Sequence, residues 1–421
     1  MSIRSSGNRD TVVVHLDAAD LGSDRQVGVL ARARAASGPA IALGYADTWL
    51  ADVGTFAIDP ELPLYAGDHY ARGGALPGIF TDAAPDRWGR VLLERQEAHL
   101  ARDEGRSRRR LDDWDFLVRV PDAVRMGALR LAAPDGRFLD DRPMEVPPTT
   151  QLRTLEEAAR EFERGARDDA AERRFIAVLL APGSSLGGGR PKASFTGEDG
   201  ALWIAKFPSR DDRHDVGAWE YLLHELASEC GIVVPEATLI RLGGDHRTYC
   251  ARRFDRDGAT RRLFASAMTL AGKRDGEDAS YLDIAQAITQ HGDPTAVEAD
   301  LEQLFRRAVF NVLVGDRDDH LRNHGFLRAP TGWRLAPAFD LNPASDKREH
   351  TLALDDAIRE PDVAVVRGTA SLYQLSDAQA DVIMGEVRAG LAIWRIAARR
   401  LDIPADEIAL IALAFEAHTA N

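Results

Sequence analysis

A chain of 421 residues exceeds what one hydrophobic core ordinarily organises, so two or three packed units are expected. Hydrophobic residues at 45% and charged ones at 29% describe a globular protein and exclude a disordered or fibrous one. A net charge of −14 argues against broad contact with a polyanion, and the two cysteines, Cys230 and Cys250, exclude a disulfide framework.

The polar opening MSIRSSGNRD does not read as a signal peptide, and the apolar run around Ile408–Phe415 is too short to span a bilayer. A cytoplasmic protein with no membrane contact is expected. In chain order, Thr11–Leu16, Val27–Ala31 and Ile41–Leu50 read as strands, being β-branched or apolar between turn residues. A helix is expected to start at Asp82 or Pro85, with Trp88, Val91, Leu92 and Arg95 at helical spacing. The one basic run, Arg106–Arg110, reads as a solvated helix end or loop. Residues 133–150 are rich in Pro, Asp and Gly and make the best linker.

Leu152–Leu180 reads as mostly helical, and Pro182–Lys192 (PGSSLGGGRPK) as a glycine-rich loop. Strands follow at Lys192–Thr196 and Ala201–Phe207, then an amphipathic helix at Asp215–Cys230 closed by Gly231. Ala237–Leu242 and Arg247–Phe254 are further strands; beyond Arg261 helices dominate, the clearest being Leu301–Leu313. Strands lead and helices follow, which is an α+β order.

The chemistry concentrates in GDRDDHLRNHGFL, Gly315–Leu327, where Asn323 follows Asp318 in D-x-x-x-x-N spacing. Phosphoryl transfer needs a carboxylate near the attacking hydroxyl and an amide oxygen for magnesium on one loop, which this spacing supplies. A hairpin, HGFLRA and WRLAPA, then delivers a second acid, Asp340. Taken alone, the loop fits a solvated turn equally well. His320 and His324 sit four apart without a zincin glutamate between them, so packing and loop hydrogen bonds are expected of them.

The glycine-rich loop lacks Walker A spacing, and alone it reads as a flexible turn. Lys206 ends a strand whose two faces are both apolar, where an edge position or a phosphate contact would explain a lysine. Glu220, on the following helix, is its candidate ion-pair partner. The order glycine loop, strand lysine, helix glutamate, D-x-x-x-x-N, hairpin and Asp is that of a kinase domain.

With these segments in place the chain resembles the HipA family of serine/threonine kinases, toxins of toxin–antitoxin pairs. The resemblance runs through FTDAAPDRWGRVLL, DAVRMGALRL, SSLGGGRPKASF, LWIAKFPS, CARRFDR, DASYLDIA, GDRDDHLRNHGF and LAPAFDLNP. It implies a kinase-like two-lobed α+β fold with an extra N-terminal β-rich subdomain and a mainly helical C-terminal lobe. The expected boundaries are an N-terminal subdomain at 1–135, a linker at 136–151, an N-lobe part at 152–255 and a C-lobe at 256–421.

The resemblance also implies ATP and Mg2+ as cofactors and assigns roles. Asp318 would be the catalytic base, with Asn323 and Asp340 on magnesium. Gly187, Gly188, Gly189, Arg190, Lys192, Lys206 and His320 would lie on the nucleotide, with Glu220 aiming Lys206 and Arg252, Arg253 and Phe254 at the adenine side. Ser185 matches the family's autophosphorylated serine, and Ser184 beside it is the alternative. Two positions depart from the family pattern: Arg190 replaces a Gln or Glu, and Arg252 replaces a hinge acid. The implied partners are a protein substrate, aminoacyl-tRNA synthetases being known family targets, and a helix-turn-helix antitoxin that alone contacts DNA. A small-molecule phosphotransferase and an ATP-binding co-repressor are the rival readings.

Overall fold

In the N-terminal segment, alternation of apolar and polar residues makes a sheet with one buried face. Val12, Val14, Leu16 and Ala18 are buried along β1 (Arg9–Ala18), while the residues between them stay partly exposed. β2 (Gly22–Ala35), β3 (Gly38–Tyr45), β4 (Asp68–Tyr70) and β5 (Leu129–Ala132) complete an antiparallel sheet of order β4-β3-β2-β1-β5. Gly28 is required where β2 meets β3, since a Cβ there would lie 2.2 Å from the Gly44 carbonyl oxygen. The computed structural model describes residues 9–35, 38–139, 146–165, 168–183, 189–344 and 347–416.

Two sequence expectations are corrected here. The strand expected over Ile41–Leu50 stops at Tyr45, and Asp47–Leu50 is a helical turn, α1, that tucks Trp49 into the core. The expected helix start at Asp82 or Pro85 is also displaced. Gly78–Asp82 is a short helix of its own, α2, and α3 (Arg87–Asp103) is capped by Asp86, whose carboxylate accepts the Gly89 amide at 2.8 Å. The basic run 106–110 follows α3. Arg106 and Arg109 pair there with the fully buried Glu97, and Arg108 pairs with Glu94. A further short helix, α4 (Asp113–Val118), opens on a reciprocal capping box between Asp112 and Asp115.

By its contacts the chain forms two interleaved units. One holds Met1–Thr150, Gly165–Ala201 and Asp255–Ala265; the other holds Gln151–Arg164, Leu202–Phe254 and Ser266–Asn421. In chain order, α5 (Leu152–Arg164) belongs to the second unit, while α6 (Asp169–Gly183) and β6 (Lys192–Thr196) return to the first.

The second unit continues with β7 (Leu202–Lys206), α7 (Val216–Glu229), β8 (Ala237–Ile240) and β9 (Thr248–Arg252). β9 pairs antiparallel with both β7 and β8. Asp215 fixes α7 to this sheet: its carboxylate caps Ala218 and also accepts from the amide and Nε of Arg247, at 3.0 and 2.7 Å. The chain then returns to the first unit for the short strands β10 (Arg256–Asp257) and β11 (Thr260–Arg261), and β12 (Phe264–Ser266) leads back into the second, to α8 (Ala267–Leu270) and α9 (Tyr281–His291).

α10 (Val297–Val314) is the axis of the helical core, burying Leu301, Leu304, Phe305, Ala308, Val309, Phe310, Val312 and Leu313. Gly315 ends it in the left-handed region, φ 69°, and releases the chain into the acidic loop. The expected hairpin follows as β13 (Gly325–Ala329) and β14 (Gly332–Leu335). Four helices, α11 (Val363–Gly368), α12 (Asp377–Leu391), α13 (Trp394–Arg400) and α14 (Ala405–Glu416), finish the unit. Among the described residues no helix is long and apolar enough to cross a membrane.

Candidate functional site

Three segments of the second unit meet at one lysine. β7 delivers Lys206, α7 delivers Glu220, and the chain leaving the β13–β14 hairpin delivers Asp340. Lys206 Nζ bonds Glu220 Oε1 and donates to Asp340 Oδ1 at 2.6 Å. Burial alone would make this ammonium easier to deprotonate, but the charges of Asp340 and Glu220 reverse that and hold it protonated. Glu220 is fully enclosed, whereas the Asp340 side chain keeps 38% of its exposure. Asp340 adopts φ 62°, a left-handed conformation that costs a non-glycine residue about 1 kcal/mol or more.

The acidic loop divides its carboxylates by burial. Asp319 is buried and accepts from Tyr281 Oη at 2.5 Å, Asn311 Nδ2 at 2.9 Å and His324 Nε2 at 2.8 Å. Burial opposes its ionisation, yet the His324 charge and these donors hold it below the usual carboxylate range. Asp316 is also buried and accepts the Asn342 amide at 3.3 Å. Burial, then the charges of Asp319 and Asp340, push its carboxyl well above the usual carboxylate range. Asp318 lies between them in sequence with its side chain 62% exposed.

Lys347 Nζ bonds Asp318 Oδ1 and donates to Thr351 Oγ1 at 3.2 Å, and the Arg317 guanidinium holds the Lys347 carbonyl at 2.8 Å. Asn323, almost buried, ends a 3-10 turn whose amide bonds the His320 carbonyl at 2.8 Å. His324 makes a loop hydrogen bond, as expected, and His320 Nδ1 is buried with no hydrogen-bond partner among the described residues.

On the expected adenine side, Arg252 pairs with Glu236 at 3.2 Å, so the residue just before β8 supplies an acid beside the position where the family's own is replaced. Arg253 is buried with its amide on the Leu202 carbonyl, and the Phe254 ring lies 5.5 Å from that of Phe339, the residue preceding Asp340.

The rest of the expected nucleotide loop belongs to the first unit. Gly189 is exposed and Arg190 half-buried, while Lys192 is buried in an ion pair with Asp86 at 3.0 Å. Ser184, Ser185, Gly187 and Gly188 lie outside the described residues. Sequence reasoning did not single out Asp86, Asn311, Tyr281 or Lys347. For Tyr281 a weak signal existed, a tyrosine beginning a well-capped helix on a face that is otherwise apolar.

Magnesium prefers hard oxygen ligands, and the Asn323 amide and Asp340 carboxylate are such donors. The Asn342 and Asp316 Oδ1 atoms are buried without a hydrogen-bond partner among the described residues, so this neighbourhood has oxygen ligand capacity to spare. The donor set fits the ion.

Residues 21–132 match the family model described as the HipA N-terminal domain, and residues 184–394 the one described as the HipA-like C-terminal domain. Among solved structures the chain is similar to HipA of the Shewanella oneidensis MR-1 toxin–antitoxin system, seen with HipB and operator DNA. That likeness has a TM-score of 0.67 at 16% identity and covers 97% of this chain and 96% of that one. A Haemophilus influenzae protein whose name proposes a kinase is 28% identical over 148 residues, 32% of this chain; the match spans 43% of that relative's length.

Proposed function

The chain belongs to the HipA family, and from that premise we propose that it is a Mg-ATP-dependent serine/threonine protein kinase acting in the cytoplasm as the toxin of a toxin–antitoxin pair. The observation that carries this reading is Lys206, held between Glu220 and Asp340 by three separate segments. A lysine so aimed presents a fixed positive charge to the phosphates of ATP, and Glu220 prevents its swinging away.

Asp318 is the exposed acid of the loop. It orients the acceptor hydroxyl and receives its proton, with Oδ2 open to the acceptor while Lys347 engages Oδ1. Asp319 does not react; it pins the loop to Tyr281, Asn311 and His324 so that Asp318 is presented rigidly. Asn323 and Asp340 would hold magnesium, which when bound neutralises phosphate charge. Phe254 and the Arg252–Glu236 pair line the adenine side in this reading, and autophosphorylation falls at Ser185 or Ser184.

A translation-related protein is the proposed target, and a helix-turn-helix antitoxin the proposed partner. The antitoxin proposal is supported by the presence of HipB and operator DNA in the similar Shewanella structure. The test is phosphate transfer from labelled ATP, comparing wild type with Asp318→Asn. Loss of a general base predicts a roughly 10²–10⁴-fold fall in rate with ATP binding retained. Equal labelling refutes the role of Asp318. Labelling of a metabolite panel but of no protein favours the small-molecule phosphotransferase, and ATP binding without turnover favours the co-repressor.

A further inference from the structure

Only four of the chain's 53 basic residues are lysines: Lys192, Lys206, Lys273 and Lys347. Lysine differs from arginine in offering a compact point charge with three rotatable donors in place of a planar fork. Two of the four stand on carboxylates of the site described above, Lys206 between Glu220 and Asp340 and Lys347 on Asp318.

Lys347 is held at both ends. Its Nζ bonds Asp318 Oδ1 and donates to Thr351 Oγ1 at 3.2 Å, and its carbonyl accepts from the Arg317 guanidinium at 2.8 Å. Arg317 takes part twice, since its own carbonyl accepts the Thr351 amide at 3.0 Å and the Thr351 hydroxyl at 3.1 Å. Residues 317–318 and 347–351 thus form one clasp. Its far end is fixed as well. Leu352, Ala353 and Leu354 are buried, the Ala353 amide donates to the Ala279 carbonyl at 2.9 Å, and the Ala353 carbonyl accepts the Tyr281 amide at 3.0 Å. Tyr281 is the residue whose hydroxyl reaches Asp319. The frame therefore closes on itself, running from Asp318 through Lys347 to Ala353, across to Tyr281 and back to Asp319. All of it lies in the second unit.

The Lys347 and Asp318 side chains are 40% and 62% exposed, and so open an ion pair adds little to stability. It does select one orientation of the carboxylate, because among the described residues no other group bonds Asp318. Holding a reacting group in one geometry acts on rate more than on stability. We propose that Lys347 is a positioning residue for the transfer, fixing Oδ1 of Asp318 so that Oδ2 alone meets the acceptor hydroxyl. The inference rests on the kinase reading above and deepens it. In the step so arranged, the hydroxyl oxygen bonds the γ-phosphorus of ATP, the bond to the bridging oxygen breaks to release ADP, and the hydroxyl proton passes to Oδ2.

The experiment compares full chains: wild type, Lys347→Met, Lys347→Arg, Thr351→Val, Asp318→Asn and the Asp318→Asn/Lys347→Met double variant. Protein-bound label from ATP is followed with casein as the added acceptor over a range of MgATP concentrations, and folding is followed by thermal unfolding. Lys347→Met is expected to lower the maximal rate roughly 10- to 100-fold. Half-saturating MgATP stays within about twofold and the melting temperature within about 2 °C. Lys347→Arg keeps the charge without the compact donor and recovers part of the rate. Thr351→Val keeps the lysine but removes the hydroxyl that accepts from it, and falls less than Lys347→Met. In the Asp318→Asn background, Lys347→Met has no further effect.

An unchanged rate in Lys347→Met overturns the positioning role, and if Asp318→Asn is still impaired the kinase reading stands without it. A faster Lys347→Met also overturns it, the lysine then blocking the acid. A raised half-saturation at constant maximal rate makes Lys347 a phosphate ligand instead, and a melting temperature that falls in step with the rate makes the clasp merely structural. Further loss in the double variant shows that Lys347 acts apart from Asp318 and overturns the proposal. Wild type that transfers no phosphate refutes the kinase reading itself, and the positioning role with it.

Discussion

Replacing Lys206 by Met separates the structural role of this lysine from its chemical one. Its removal takes from the enclosed Glu220 the ammonium that it bonds and leaves Asp340 beside it as a second acid. Breaking a buried pair from one side costs about 3–5 kcal/mol. The lower end applies here, because Asp340 is exposed enough to be hydrated and Glu220 can take up a proton, so a loss of about 3 kcal/mol is expected. In a unit of this size that lowers the melting temperature by roughly 6–12 °C. Adding Glu220→Gln removes the enclosed charge and returns most of the stability, since replacing both partners is near neutral. Activity behaves differently: both variants lose a charge clamp on the phosphates and fall by roughly 10²–10³-fold. Thermal unfolding and phosphate transfer on the four proteins of the cycle provide the check. Equal melting temperatures for single and double variants would refute the buried-pair argument, and retained transfer in Lys206→Met would refute the phosphate role.

Three further outcomes follow from the same geometry. Asp319→Asn keeps the shape of a side chain with three donors but removes the charge facing His324; a loss of about 2–4 kcal/mol is expected, against ~1 kcal/mol for Tyr281→Phe, both read by chemical denaturation. Burial lowers the His224 imidazole from 6.5 to about 4, so it is neutral in the folded protein and accepts or donates at 3.2 Å with Tyr249 Oη. Its contribution to stability is therefore complete above pH 6.5 and is lost as pH falls towards 4, on the order of 2–3 kcal/mol, with His224→Gln flattening that limb of the profile. Gly217→Ala places a Cβ 2.3 Å from the Arg247 carbonyl oxygen and forces α7 off β9, for an expected loss of about 1–3 kcal/mol in thermal unfolding.

What could be read from the sequence was what local spacing encodes. The alternation that isolates Lys206 on β7 and the apolar stripe of α7 that carries Glu220 past it are short-range patterns, and the fold brings the two residues together. The two flanks of the glycine loop are likewise a helix and a strand, as the residues indicated. Misplaced boundaries came from capping competition: Asp82, Pro85 and Asp86 are all plausible helix starters, and only the geometry selects Asp86, because its second oxygen is wanted by Lys192, 106 residues away.

Distance in sequence also hid Tyr281, whose hydroxyl meets Asp319 from 38 residues upstream. The deepest ambiguity lay between neighbours. Asp318 and Asp319 are chemically identical in a string of letters, and only the spacing to Asn323 marks Asp318 as the expected base. The fold distinguishes them by burial. Asp319 is buried with its Oδ2 shared by three donors, where a substrate has no access, whereas the neighbouring Asp318 is exposed, as the proposed base has to be.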